Sequence, residues 1–183
     1  MTDTKQQIAK KLYYLFIGTG FATQGVEALR AEADVSLRTL YKYYPSREAM
    51  IIGALEYREG LYWDWIEEGP ENGVDHLLYP LVRLGDWLEQ VGNTGCLFMN
   101  ALSTYPESEA IRKAVEAHKE RLRNVFVRRL ETVAPDCEVG ALADRLFLLH
   151  EGLTDVARLR GVQTSTAAAL EAARALLARE GIH

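Results

Sequence analysis

The chain has 183 residues, 48% of them hydrophobic, with a formal net charge of −5 and two cysteines. That length can bury a real core without disulfides, and Cys96 and Cys137 are too few and too far apart for a disulfide framework or a metal-binding pattern. An acidic total argues against a general nucleic-acid binder, yet residues 1–48 hold seven Lys/Arg against five acids, while residues 49–183 carry a net −7.

Taken in order, residues 4–18 space Ile8, Leu12, Leu15 and Phe16 along one helical face. Gly18 and Gly20 end that helix, and Phe21 is expected to pack back on it. Thr23 or Gln24 opens a short second helix with Val26, Leu29 and Ala33 inward. Asp34 stands at the following turn, being one of the residues that tolerate a left-handed backbone. Ser36 is placed as the N-cap of a third helix, with Val35, Leu40 and Tyr44 facing a core. Pro45 ends it, and Ser46 with Glu48 starts a long helix running to residue 67. These features predict a small three-helix unit closing on Val35, Leu40 and Tyr44.

The Gly/Pro/Asn-rich stretch 67–75 reads as a loop. Residues 76–91 form a helix with Leu77, Leu81, Leu84 and Leu88 inward, broken by Gly92-Asn93-Thr94-Gly95. A short apolar helix over 96–104 stops before Pro106. The clearest amphipathic helix spans 108–133. Residues 138–159 follow with two adjacent apolar stripes, an arc wide enough to bury more than one side. A turn is expected at 161–165, then an Ala-rich helix over 166–179. Nothing reads as a strand, a repeat or a membrane span, and no apolar stretch follows the polar N-terminus to suggest a signal peptide.

The third helix has a dry face and a donor-rich face, the form that a DNA major groove receives. The segment FATQGVEALRAEADVSLRTLYKYYPSREA, from Phe21 to Ala49, resembles the helix-turn-helix of the tetracycline-repressor (TetR) family of bacterial transcription regulators. The match is strongest in VSLRTLYKYYPSREA and covers about the first quarter of the chain. The second helix departs from the family pattern: Gly25 replaces the usual Ser/Thr before Val26, and Glu27 and Arg30 replace other residue types. Arg30 lies three residues from Glu27, where it can compensate its charge.

The resemblance implies an all-α protein: a helix-turn-helix DNA-binding head over residues 1–48 and a helical effector-binding and dimerisation body over 49–183. It implies DNA contacts from Thr39, Tyr41, Lys42, Tyr43 and Arg47; the donor-rich face of the helix adds Arg38, while Leu37 can either pack on a thymine methyl or turn inward. Of these, Tyr41, Tyr43 and Arg47 are expected on phosphates, and Arg38, Thr39 and Lys42 on base edges. The expected partners are an inverted-repeat operator, a second copy of the chain and a small-molecule effector, with no membrane, in the cytoplasm.

Trp65, Trp87, Phe98, Phe126 and Phe147, with Asn100 as a polar group, are the candidate lining of an apolar effector pocket between the helix from Ser46 and the helix over 108–133. For each aromatic the plain alternative is core packing, and Asn100 can equally cross-link helices. His76, His118, His150 and His183 share no metal-ligand spacing, and no nucleophile–base arrangement is visible. His118 and His150 read as core or interface histidines, and the side chains of His150 and Glu151 should point apart on a helix. No enzyme activity, cofactor or metal is therefore expected. The competing reading is a helical small-molecule-binding protein or small enzyme that only resembles the family.

Overall fold

A computed structural model describes residues 2–183, with side chains from residue 4 onward. Among the described residues there are nine helices and no strand: α1 Thr2–Thr19, α2 Val26–Ala33, α3 Leu37–Tyr43, α4 Arg47–Glu67, α5 Gly73–Gln90, α6 Leu97–Thr104, α7 Glu109–Val133, α8 Val139–Arg160 and α9 Val162–Arg179. The all-helical expectation holds. The turn expected at 161–165 is a single residue, Gly161, at φ 85°. One glycine in the left-handed region reverses the chain, so Val162 to Ser165 join the last helix.

The helices form two compact units, Met1–Trp63 with Cys96–Ala117, and Asp64–Gly95 with His118–His183. α4 and α7 each supply residues to both. The boundary drawn from sequence after residue 48 falls inside the first unit. That unit's core joins Ile8, Leu12 and Phe16 of α1 to Leu29, Leu40 and Tyr44, then to Met50, Ile51 and Leu55 of α4 and Phe98 of α6. The expected three-helix core is thus larger than the sequence suggests, because α4 and α6 close it.

In the second unit, Leu77, Leu78 and Leu81 of α5 pack with Phe126 and Leu130 of α7, Leu142 and Leu146 of α8, and Ala173 and Leu177 of α9. Pro80 lies inside α5 and has no N–H for the carbonyl of His76, four residues earlier. Arg129 of α7 donates to that carbonyl at 2.8 Å, and also to the Ile66 carbonyl in the last turn of α4 at 3.1 Å. A buried guanidinium thus fills a gap that proline opened. Gly85 marks the crossing of α5 and α9: a Cβ there would come within 2.8 Å of the Thr166 side chain.

A second polar tie joins α7 to α8. Lys119 pairs with Glu151, and Glu151 Oε1 lies 3.7 Å from His150 Nδ1. The expectation that His150 and Glu151 point apart is therefore corrected: packing against α7 turns the carboxylate toward the ring. Burial raises the Glu151 pKa, but the bonds and charges of His150 and Lys119 outweigh it and hold the carboxyl at about 2.

Arg129→Met should lower unfolding free energy by about 2–4 kcal/mol in urea titrations, because a buried and a part-buried carbonyl lose a charged donor. Adding Pro80→Ala should recover part of the loss, since the new N–H can reach the His76 carbonyl. Glu151 is held ionised in the fold, so the unfolded chain protonates first as pH falls. The stability difference between the wild type and Glu151→Gln should be full above pH 4.5 and vanish toward pH 2, the ordinary and folded values.

Candidate nucleic-acid interface

α3 is seven residues long, too short to be stable by itself. Its N-terminus is capped by Ser36, whose Oγ accepts from the Thr39 N–H at 3.1 Å and lies 2.8 Å from the Thr39 hydroxyl. The chain enters it through Asp34 at φ 54°, ψ 49°, the left-handed residue between α2 and α3. Lys11 of α1 reaches both the Ala33 carbonyl at 3.4 Å and the Asp34 carboxylate at 3.6 Å. Arg30 pairs with Glu27 at 2.9 Å and reaches the Val35 carbonyl, so the compensation expected on α2 is present and braces the turn as well.

At the other end, Tyr44 is buried and its hydroxyl donates to the Lys5 carbonyl of α1 at 3.0 Å. Burial, with Glu56 nearby, pushes its pKa up to about 12. The ring lies against Gly53 of α4, where a Cβ would come within 2.7 Å of the Tyr44 Cζ. Leu40 is fully buried on the same side. These anchors leave Arg38, Tyr41 and Lys42 exposed together on the opposite face, with Leu37, Thr39 and Tyr43 half-buried at its margins. Lys42 Nζ lies 5.4 Å from the Tyr43 ring centroid. α2 carries no side-chain cap at Gly25, consistent with the missing Ser/Thr.

Arg47 differs from the other six residues expected on DNA. Its guanidinium turns inward, to the Phe21 carbonyl at 2.6 Å, the Gln24 carbonyl and the Tyr105 hydroxyl at 2.6 Å. Sequence reasoning missed this, since nothing near Arg47 in the chain signals a partner 58 residues away.

The residues expected to line a ligand pocket fall in both units. Phe98 is buried in the first core and Phe126 in the second. Asn100 is half-buried on α6, where its carbonyl accepts from the Thr104 hydroxyl. Phe147 is half-buried against the second core. Trp65 and Trp87 meet edge to face, with centroids 5.8 Å apart. Trp65 also donates to the Arg83 carbonyl at 2.9 Å, and the Arg83 guanidinium lies 4.1 Å from its ring centroid while donating back to the Trp65 carbonyl. A cation therefore sits on this aromatic pair, which the sequence reading did not anticipate. Among the described residues, no group of three or more His, Cys, Asp or Glu is placed to hold a metal ion, and no helix is long and apolar enough to cross a membrane.

The architecture is that of TetR-family transcriptional regulators. A TetR-family regulator from Streptomyces coelicolor superposes with a TM-score of 0.86 at 19% identity, over 98% of this chain and 91% of that one. A TetR regulator from Haloarcula marismortui gives 0.79 at 17% identity, covering 96% and 97% of the two chains. The reduced form of E. coli NemR gives 0.76 at 21% identity, covering 95% and 97%. In sequence, 61 residues are 31% identical to YerO, an uncharacterized HTH-type transcriptional regulator of Bacillus subtilis (strain 168). That match covers 33% of this chain and only 21% of the relative's length. No protein-family model matches the sequence.

The anchoring of α3 can be tested on α4. Gly53→Ala should destabilise the protein: the gain in helix propensity of about 1 kcal/mol is smaller than the cost of displacing Tyr44, about 1–3 kcal/mol or more for overpacking. Gly60→Ala on the same helix, with nothing within 4 Å of the added Cβ, should instead stabilise it. Thermal unfolding of the two variants checks the contrast.

Proposed function

We propose that this protein is a DNA-binding transcriptional regulator of the TetR type, a repressor released from an inverted-repeat operator by a small apolar effector. In this reading residues 1–48 are the DNA-binding head and residues 49–183 the effector-binding and dimerisation body. The observation that carries it is the exposed donor face of α3: Arg38, Tyr41 and Lys42 stand free of the core while Leu40 and Tyr44 hold the helix from behind. A helix so held can enter the major groove, where Arg or Lys donates to guanine and tyrosine hydroxyls reach phosphates. No catalytic role is assigned to any residue. Selection of bound genomic fragments with purified protein tests the reading and yields the operator. Lys42→Ala should then weaken operator binding by about 1–3 kcal/mol if it reads a base edge, with the fold unchanged. Failure of the wild type to enrich any duplex would reject the assignment.

The proposed homodimer forms through α8 and α9. Part of the reason lies in a surface groove lined by Leu148, Leu149, Leu153 and Val156 of α8 and by Ala168 and Ala169 of α9. Leu148 is 65% exposed and Leu159 89% exposed. Leu148, Val156 and Leu159 form an exposed apolar line beside the first of the two stripes read from sequence, whose Leu149 and Leu153 border the same groove. Four helices from two copies would bury such a stripe, and an obligate dimer buries about 2,000 Å² or more. Leu148→Glu with Leu159→Glu should give a monomer in sedimentation at micromolar concentration, where the wild type should be a dimer.

The effector is proposed to be apolar because the body is rich in aromatic side chains, with the Trp65–Trp87 pair as the natural optical reporter. A ligand that binds the operator-free form more tightly must weaken DNA binding by the same factor, ordinarily about five- to 150-fold.

A further inference from the structure

Within the first unit, the start of α4 is the meeting point of three segments far apart in sequence. Arg47 joins the Phe21 and Gln24 carbonyls, in the connection between α1 and α2, to the Tyr105 hydroxyl at the end of α6. The Tyr105 hydroxyl closes the ring by donating to the Phe21 carbonyl at 3.0 Å. One residue along, Glu48 accepts from the Ser108 hydroxyl at 3.2 Å, and Ser108 also accepts from the Ile111 N–H in the first turn of α7. The α1–α2 connection needs such a tie. It enters through Gly20 at φ 74° and leaves through Gly25, which provides no side-chain cap for α2. A planar guanidinium spreads its donors over three nitrogens and so reaches three separated oxygens at once, whereas the donors of a lysine ammonium all radiate from one nitrogen.

We infer that Arg47 and Tyr105 are positioning residues for DNA recognition: together they fix the entry of α2, and with it the angle at which α3 is presented, and Arg47 makes no phosphate contact. The inference rests on the DNA-binding reading above for its consequence, though the strut itself exists without DNA. α2 and α3 are joined by the turn at Asp34 and pack on α1 and on each other, so an entry point free to shift moves the recognition surface as a whole.

The experiment measures affinity across a salt series, on a genomic fragment the wild type selects, beside thermal unfolding. Tyr105→Phe removes both hydroxyl bonds without changing charge, and Arg47→Lys keeps the charge but loses the fork. Each should weaken binding by about tenfold, the ordinary worth of a hydrogen bond to a charged group. The slope of log affinity against log salt should stay at the wild-type value, and the double variant should be weakened by less than the product of the two singles. A phosphate contact gives the opposite pattern and overturns the inference: Tyr105→Phe binds like the wild type, and Arg47→Ala lowers the salt slope by about one. Should the wild type select no duplex, the DNA-binding reading fails and the strut is judged by amide exchange. Faster exchange over residues 26–43 in Tyr105→Phe, with residues 139–160 unchanged, supports it, and equal exchange in both regions rejects it.

Discussion

The burial of Leu40 and Tyr44 is the constraint on which the exposed face of α3 depends. Seven residues cannot hold a helix in water, so α3 exists because one face is locked into the first unit's core. Tyr44 reaches across to the Lys5 carbonyl only because Gly53 leaves room for its ring. Once that side is fixed, helical geometry leaves no freedom for the other. Arg38, Tyr41 and Lys42 must face outward, and they do so on a surface whose backbone is already ordered. The entropy of ordering has been met by apolar packing before any partner arrives.

The two units use buried polar groups in a common way, to hold segments that the apolar core does not align by itself. In the first, Arg47 binds oxygens from the α1–α2 connection and from Tyr105. In the second, Arg129 fills the hydrogen-bond vacancy beside Pro80 while holding the end of α4. Both arginines donate to backbone carbonyls, for which the forked guanidinium is suited. Glu151 differs in being a true charge pair, with Lys119 and His150 keeping it ionised despite burial. Such groups contribute only when fully partnered, which makes them specifiers of geometry more than sources of net stability.

The aromatic residues illustrate how composition and arrangement diverge. From sequence, Trp65, Trp87, Phe98, Phe126 and Phe147 look like one pool of apolar surface. In the fold Phe98 belongs to one core, Phe126 to another, and Trp65 lies between Trp87 and a guanidinium. Likewise α8 shows two apolar stripes in sequence, and their members Leu142, Ala143, Leu146 and His150 are buried in its own unit. The bare surface comes instead from Leu148, Val156 and Leu159, a third line of residues around the same helix.

The sequence by itself determined that the chain is helical, the cap of α3 and the inward face of that helix. Ser36 caps α3, Asp34 adopts the left-handed turn and Arg30 meets Glu27 because these interactions join residues within four positions of one another, where covalent geometry sets the distances. Only the tertiary structure decided where Arg47 and Arg129 point, which aromatics share a core, and that Gly161 alone separates α8 from α9. Those outcomes depend on residues tens of positions apart being packed to within a few ångströms, and no local pattern of side chains encodes which distant carbonyl or ring will be there to meet them.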